Sequence, residues 1–158
     1  MRTLTATLIA SLALIFLPGE GLGQGQVEEQ IRQTILDNYA LTAERLADQP
    51  QETSTDGSLA FWSSGGLLQE VSRDDTPVAY ESFNLVPKHI QVVTLGDGVA
   101  MAQFYVEGSY QPEGGAPVPH YLTRATQVYV LEGGEWKVRG AHFSPVTGGS
   151  GTHVTAVK

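Results

Sequence analysis

The chain contains no cysteine among its 158 residues, which excludes a disulfide framework, a thiolate metal site and a lipid anchor on a processed cysteine. Cations are scarce: nine Lys and Arg stand against seventeen Asp and Glu, for a net charge of -8. The nine are scattered, so there is no basic footprint for a nucleic acid. His89, His120, His142 and His153 stand singly, without the His-x-His or His-x-x-x-His spacing that a metal site needs, and no metal or cofactor is expected. A nucleophilic serine elbow, a phosphate-cradling loop before a helix and an Asn-x-Ser/Thr glycosylation acceptor are all missing. Long apolar runs are absent too, apart from one at the start.

That run is Leu4 to Leu17, preceded by Arg2 and followed by Pro18, Gly19 and the small-residue pattern Gly21-Leu22-Gly23. It has the form of a signal peptide cleaved after Gly23, because the peptidase accepts small side chains at the last and third-last positions. It is shorter than the ~18 to 20 apolar residues that span a bilayer. The expectation is a mature protein that is secreted or periplasmic and free of the membrane. Residues 1–23 are read as the signal, 24–146 as one α+β domain and 147–158 as a loose Gly/Thr-rich tail.

Val27, Ile31, Ile35, Tyr39, Thr42 and Leu46 recur at spacings of three and four, which predicts an amphipathic helix over about Val27 to Ala47, ended before Pro50. Short strands are expected at Leu59 to Trp62 and Leu67 to Val71, while Val78 to Val86 is ambiguous between helix and irregular structure. From Ile90 onward the pattern is strand, turn, strand: a turn at Gly96-Asp97-Gly98, a Gly/Pro loop at Gln111 to Pro119 and a tight turn at Gly133-Gly134. A helix that must bury its stripe on one face of such a meander makes a helix-on-sheet domain.

The stretch Tyr121 to Val130, then Glu132-Gly133-Gly134-Glu135-Trp136-Lys137-Val138 and Ala141-His142-Phe143-Ser144, resembles the C-terminal hairpin of SnoaL-like proteins. These belong to the nuclear-transport-factor-2-like superfamily, and the same residues are similar to the association domain of calcium/calmodulin-dependent kinase. Gly96-Asp97-Gly98-Val99-Ala100 matches the preceding strand, and the likeness covers about Val27 to Val146. It implies a cystatin-like cone, with a long N-terminal helix packed on a curved antiparallel sheet of about four to six strands. The family spans isomerases, dehydratases, cyclases, epoxide hydrolases and pure association modules, so the likeness implies a fold without fixing a reaction. Neither the His/Asp set of scytalone dehydratase nor the Asp/Arg/Asp set of the epoxide hydrolases maps onto this chain.

If Gly133-Gly134 is a two-residue loop, Leu131 faces Trp136, Tyr129 faces Val138, Gln127 faces Gly140, Ala125 faces His142 and Thr123 faces Ser144, all on one sheet face. That face would line a pocket for a small apolar or amphipathic molecule, with Trp62, Tyr121, Thr123, Arg124, Gln127, Tyr129 and Ser144 as candidate ligand contacts. His142 is the foremost candidate for acid, base or donor, since an imidazole titrates near neutrality. Glu107 and Glu70 are the candidate carboxylate bases, and Asp37 is a further acid on the helix. Val128, Val130, Ala141 and Phe143 would fall on the opposite, outer face with Arg124, Lys137 and Arg139, and predict a homodimer through that face.

Overall fold

The computed structural model describes residues 23–146; the expected signal peptide and C-terminal tail lie outside the described residues. Helix α1 (Gln24–Arg45) is followed by a short 3-10 turn (Pro50–Glu52) and by strands β1 (Ser58–Phe61), β2 (Gln69–Val71), β3 (Tyr80–Gly96), β4 (Val99–Pro112), β5 (Val118–Glu132) and β6 (Glu135–Pro145). They form one sheet in the order β2-β1-β6-β5-β4-β3. All pairings are antiparallel except β1 with β6, which is parallel. The expected α+β helix-on-sheet cone is what forms, with a mixed sheet in place of a purely antiparallel one.

The helix starts at Gln24, three residues before the expected point, and its stripe does what the spacing required: Val27, Ile31 and Ile35 are buried. They pack on the inward row of the sheet, which includes Val92, Ala100, Ala102, Phe104, Val106, Ala125, Tyr129, Trp136 and Phe143. Burying an Ile fully stabilises the fold by roughly 1.5–3 kcal/mol, so these few contacts fix the helix. Two polar ties complete the docking. Trp136 Nε1 donates to Gln30 Oε1 at 3.0 Å, and Arg32 donates to the Ile90 carbonyl at 2.7 Å. The latter lies where β3 slips its register against β4 between Lys88 and Gln91, with His89 at φ 54.

The ambiguous segment Val78 to Val86 is strand from Tyr80 onward. It joins a 17-residue edge strand whose alternation is broken between Tyr80 and Ser82 and again beyond Lys88. Pro87, which has no N–H for a ladder, is tolerated because β3 is the sheet edge.

The Gly133-Gly134 turn has both residues at positive φ, as a two-residue hairpin loop demands. Leu131 faces Trp136 and Tyr129 faces Val138, as expected. Beyond that the reading fails. Val128 pairs with Gly140, so Arg139 is an extra residue in β6 and every later side chain changes face. Gln127 therefore faces Ala141, Thr126 faces His142 and Arg124 faces Ser144. The physical cause is the segment before β1: Ser54 N–H donates to the Val138 carbonyl at 2.9 Å, and the bulged Arg139 donates to the Gly57 carbonyl at 3.2 Å. Phe143 and Ala141 consequently point inward, and His142 and Ser144 outward.

Candidate functional site

The space beneath the helix is filled by Ile31, Ile35 and Tyr129, the last only 1% exposed. The concavity lies instead at the end of the β4–β5 hairpin, and its geometry starts at the exit of α1. Leu46 turns the chain at φ 50, and the next residues pair with the approach to β3: Tyr80 N–H donates to the Leu46 carbonyl at 2.8 Å and Asp48 N–H to the Val78 carbonyl at 3.0 Å. This clasp brings the Tyr80 hydroxyl to Asp48 Oδ1 at 2.6 Å. Burial pushes the Asp48 carboxyl above its ordinary range, opposed by the Tyr80 hydrogen bond. Burial also raises Tyr80, helped by its bond to Asp48, so the phenol stays a donor.

From this pair an aromatic file runs outward. Tyr80 lies 5.0 Å from Phe83 and 6.0 Å, edge-on, from Tyr110; Tyr110 lies 5.4 Å, edge-on, from Tyr121. Tyr39 of the helix joins from the other side, 6.2 Å from Phe83 and 6.4 Å from Phe104. Its phenol is raised by burial, then by Tyr121 and Asp48. The Tyr121 and Ser63 hydroxyls are hydrogen-bonded at 2.9 Å across 58 residues of sequence. Here a cleft of about 870 Å³ opens, lined among others by Ser63, Ser109, Tyr110, His120, Tyr121 and Thr123. Thr123 also borders the cleft; it is 1% exposed, and its Oγ1 has no hydrogen-bond partner among the described residues. Among the described residues no Lys or Arg lines the cleft.

Of the ligand contacts expected from sequence, Tyr121 and Thr123 meet in this cleft, and Trp62 stands next to it, immediately before Ser63. Tyr129 is a core residue whose hydroxyl donates to Gln127 Oε1 at 2.7 Å, so neither side chain reaches the cleft. Arg124 is exposed on the outer face and donates to the Pro145 carbonyl; Ser144 is its outer-face neighbour. His142 is exposed on that face as well, 5.7 Å from the Phe61 ring. Glu107 borders the cleft but is ion-paired to Lys88 on the outer side. Glu70 is exposed on β2, and Asp37 is exposed on α1, bonded to Gln33. The register change in β6 is the reason His142 and Ser144 lie on the outer face. Asp48, Tyr80, Tyr39 and Tyr110 were missed; an acid just past a helix end and a tyrosine opening a strand carry no spacing signal.

An acid held where ionisation is disfavoured has a testable consequence. Because the folded-state pKa of Asp48 is raised above 3.8, the native state binds this proton more tightly than the unfolded chain, so stability falls as pH rises above 3.8 through the folded value. Asp48→Asn keeps an acceptor for Tyr80 and removes the charge. The variant is expected to melt a few degrees higher than the parent at pH 7, the two curves converging as pH falls below 3.8. A variant that melts lower at pH 7 would mean that a cation compensates Asp48. Among the described residues there is also no group of His, Asp and Glu arranged to hold a metal, and no helix long and apolar enough to cross a membrane.

No protein-family model matches the chain, and no curated protein matches it. Solved structures do. A nuclear transport factor 2-like superfamily protein from Salmonella enterica superposes with TM-score 0.60 at 15% identity, over 82% of this chain and 98% of that one. A candidate scytalone dehydratase from Novosphingobium aromaticivorans gives 0.59 at 12% identity, over 75% and 83%. A candidate calcium/calmodulin-dependent kinase II association domain from Exiguobacterium sibiricum gives 0.57 at 16% identity, over 82% and 100%. With its single long helix laid on a curved six-stranded sheet, this chain adopts the nuclear-transport-factor-2-like fold, a cystatin-like cone.

Proposed function

We propose that the protein is an exported small-molecule-binding domain whose ligand occupies the tyrosine-lined cleft at the end of the β4–β5 hairpin. The observation that carries this reading is the convergence of Tyr110, Tyr121, Ser63 and Thr123 on one cleft of about 870 Å³, within the ~300–1,000 Å³ range of ligand sites. Aromatic walls with a few polar groups suit an uncharged amphipathic molecule. Export and cleavage after Gly23 rest on the sequence before α1, the apolar run Leu4 to Leu17 and the small-residue pattern Gly21-Leu22-Gly23.

The name of the dehydratase relative supports a catalytic variant of the same reading, an isomerase, cyclase or dehydratase type of reaction. Asp48 would then be the acid or base, because it is the carboxyl whose ionisation burial disfavours. His142, Glu107 and Glu70 face away from that pair or outward.

Native mass spectrometry of the exported, purified protein tests the proposal. The expected result is a mature mass beginning at Gln24 with a bound small molecule, and a Tyr121→Ala variant that holds it about tenfold or more weakly. An empty protein that no small-molecule library stabilises against heat would refute the binding reading.

A second reading has its own observation. Leu59, Phe61, Val86, Val93, Tyr105 and Leu122 are each about half exposed on the outer face of the sheet, an apolar area unusual for a soluble monomer. The association-domain relative supports the same idea: the outer face joins two copies of the chain.

A further inference from the structure

Trp62 directly follows β1 and leads into the turn closed by Gly65 N–H on the Trp62 carbonyl at 3.0 Å. Its indole lies flat on Phe143, ring centroids 5.4 Å apart and planes 8° from parallel. Nε1 donates to Gln69 Oε1 at 2.8 Å. Phe143 belongs to the core and Gln69 to β2, so the indole is held at its face and at its edge, yet it remains 42% exposed. An exposed aromatic that is free to move is ordinary. One that has lost its rotamer freedom while keeping its outward face bare is a prepared stacking surface.

Around it, at the end of β6, lies a second cleft of about 510 Å³, bounded by Phe61, Ser63, Ser64, His142 and Ser144. Gly65 and Gly66 form its rim at φ +87 and +104, with no side chain to overhang the indole. Among the described residues no Asp, Glu, Lys or Arg lines this cleft, so a charged ligand has no partner charge among them. The cleft is also shallow and open, and a site for an apolar molecule buries ~70–90% of its ligand. A ligand with one apolar face and a polar perimeter fits both conditions, since it gains contact on one side and keeps its remaining hydroxyls in water.

We propose that this cleft is a saccharide subsite, in which the C–H face of a neutral pyranose stacks on Trp62 while its perimeter hydroxyls reach Ser63 and Ser64. Dispersion and weak C–H contacts on a single ring give modest binding, with Kd on the order of 1 mM. The proposal does not depend on the ligand of the tyrosine cleft. Sugar binding and any co-purified molecule are scored separately, so either can fail alone.

The chain has two tryptophans; Trp136 is 5% exposed and bonded to Gln30, so a ligand-induced change in emission reports Trp62. The purified protein is titrated with maltose, cellobiose and N,N′-diacetylchitobiose, followed by tryptophan emission and by saturation transfer to the sugar protons. The expected result is saturable binding of at least one sugar. Trp62→Ala should weaken it about tenfold or more, and Trp62→Phe, which keeps a ring, should weaken it less. If Trp62→Ala does not fold, Gln69→Ala, which frees the edge of the indole, is read in its place and should weaken binding in the same sense. Absence of saturable binding by all three sugars overturns the subsite, as does binding that a folded Trp62→Ala variant retains at full strength.

Discussion

Gly108→Ala is expected to destabilise the protein by about 3–5 kcal/mol, lowering its melting temperature by roughly 10–20 °C. Gly108 sits in β4 at φ +140, a conformation that side-chain-bearing residues rarely adopt. A Cβ there would fall on the backbone carbonyl oxygen of Asn84, with Leu85 Cα 3.2 Å away. Both are backbone atoms of the paired strand β3 and have no rotamer to yield. The chain has a reason to bring backbones this close: directly after Gly108, β4 slips its register against β5, and the next residues, Ser109 and Tyr110, line the cleft. Any Gly108→Ala protein that folds should therefore have moved Tyr110 and lost ligand affinity along with stability. Thermal and urea unfolding check the first part. A loss below about 1 kcal/mol would show that the two strands separate here without cost, and that the bend does not position the cleft.

Much of this architecture is written in local pattern. The helix stripe, the two short strands and the Gly133-Gly134 turn each follow from residues within a few positions of one another, and each is where its pattern places it. The site is harder to read, and β5 and β6 show why. Alternation along β5 runs unbroken from the turn, so Thr123 keeps the inward orientation that counting assigns it. Along β6 the same count is broken at Arg139 by contacts with Ser54 and Gly57, some eighty residues earlier, and His142 and Ser144 are turned out. No pattern inside a hairpin encodes a partner that distant. The Asp48–Tyr80 pair has the same character. Its members are 32 residues apart in two segments without periodicity, and only the clasp between the helix exit and β3 joins them.

Val128→Glu is expected to raise the dissociation constant of a homodimer about 100-fold or more while leaving the monomer folded. Val128 lies near the middle of the outer face, paired with Met101 on one side and Gly140 on the other. Its side chain points away from the helix and is partly open to solvent, so a carboxylate there in a lone chain stays hydrated. Across a two-fold interface the substitution appears twice, and each carboxylate is stripped of water among apolar groups at a cost of a few kcal/mol. About 2.8 kcal/mol is already a factor of ~100 in affinity. The surface available is apolar: the outer sides of β3, β4 and β5 carry Val86, Val93, Tyr105 and Leu122 around Val128 and Val130, and β1 adds Leu59 and Phe61. Phe143 and Ala141, which a straight hairpin would have contributed, are withdrawn into the core by the bulge, so the interface is carried by β1, β3, β4 and β5. Arg124 is exposed on this face beside Tyr105, so a homodimer formed here is expected to pair it with an acid of the second copy. A stable interface of this kind needs about 800 Å² from each partner. Sedimentation at micromolar concentration gives the decision. A dimer for the parent and a folded monomer for Val128→Glu support the outer face; a parent that sediments as a monomer, or a variant dimer of unchanged affinity, removes it as the interface.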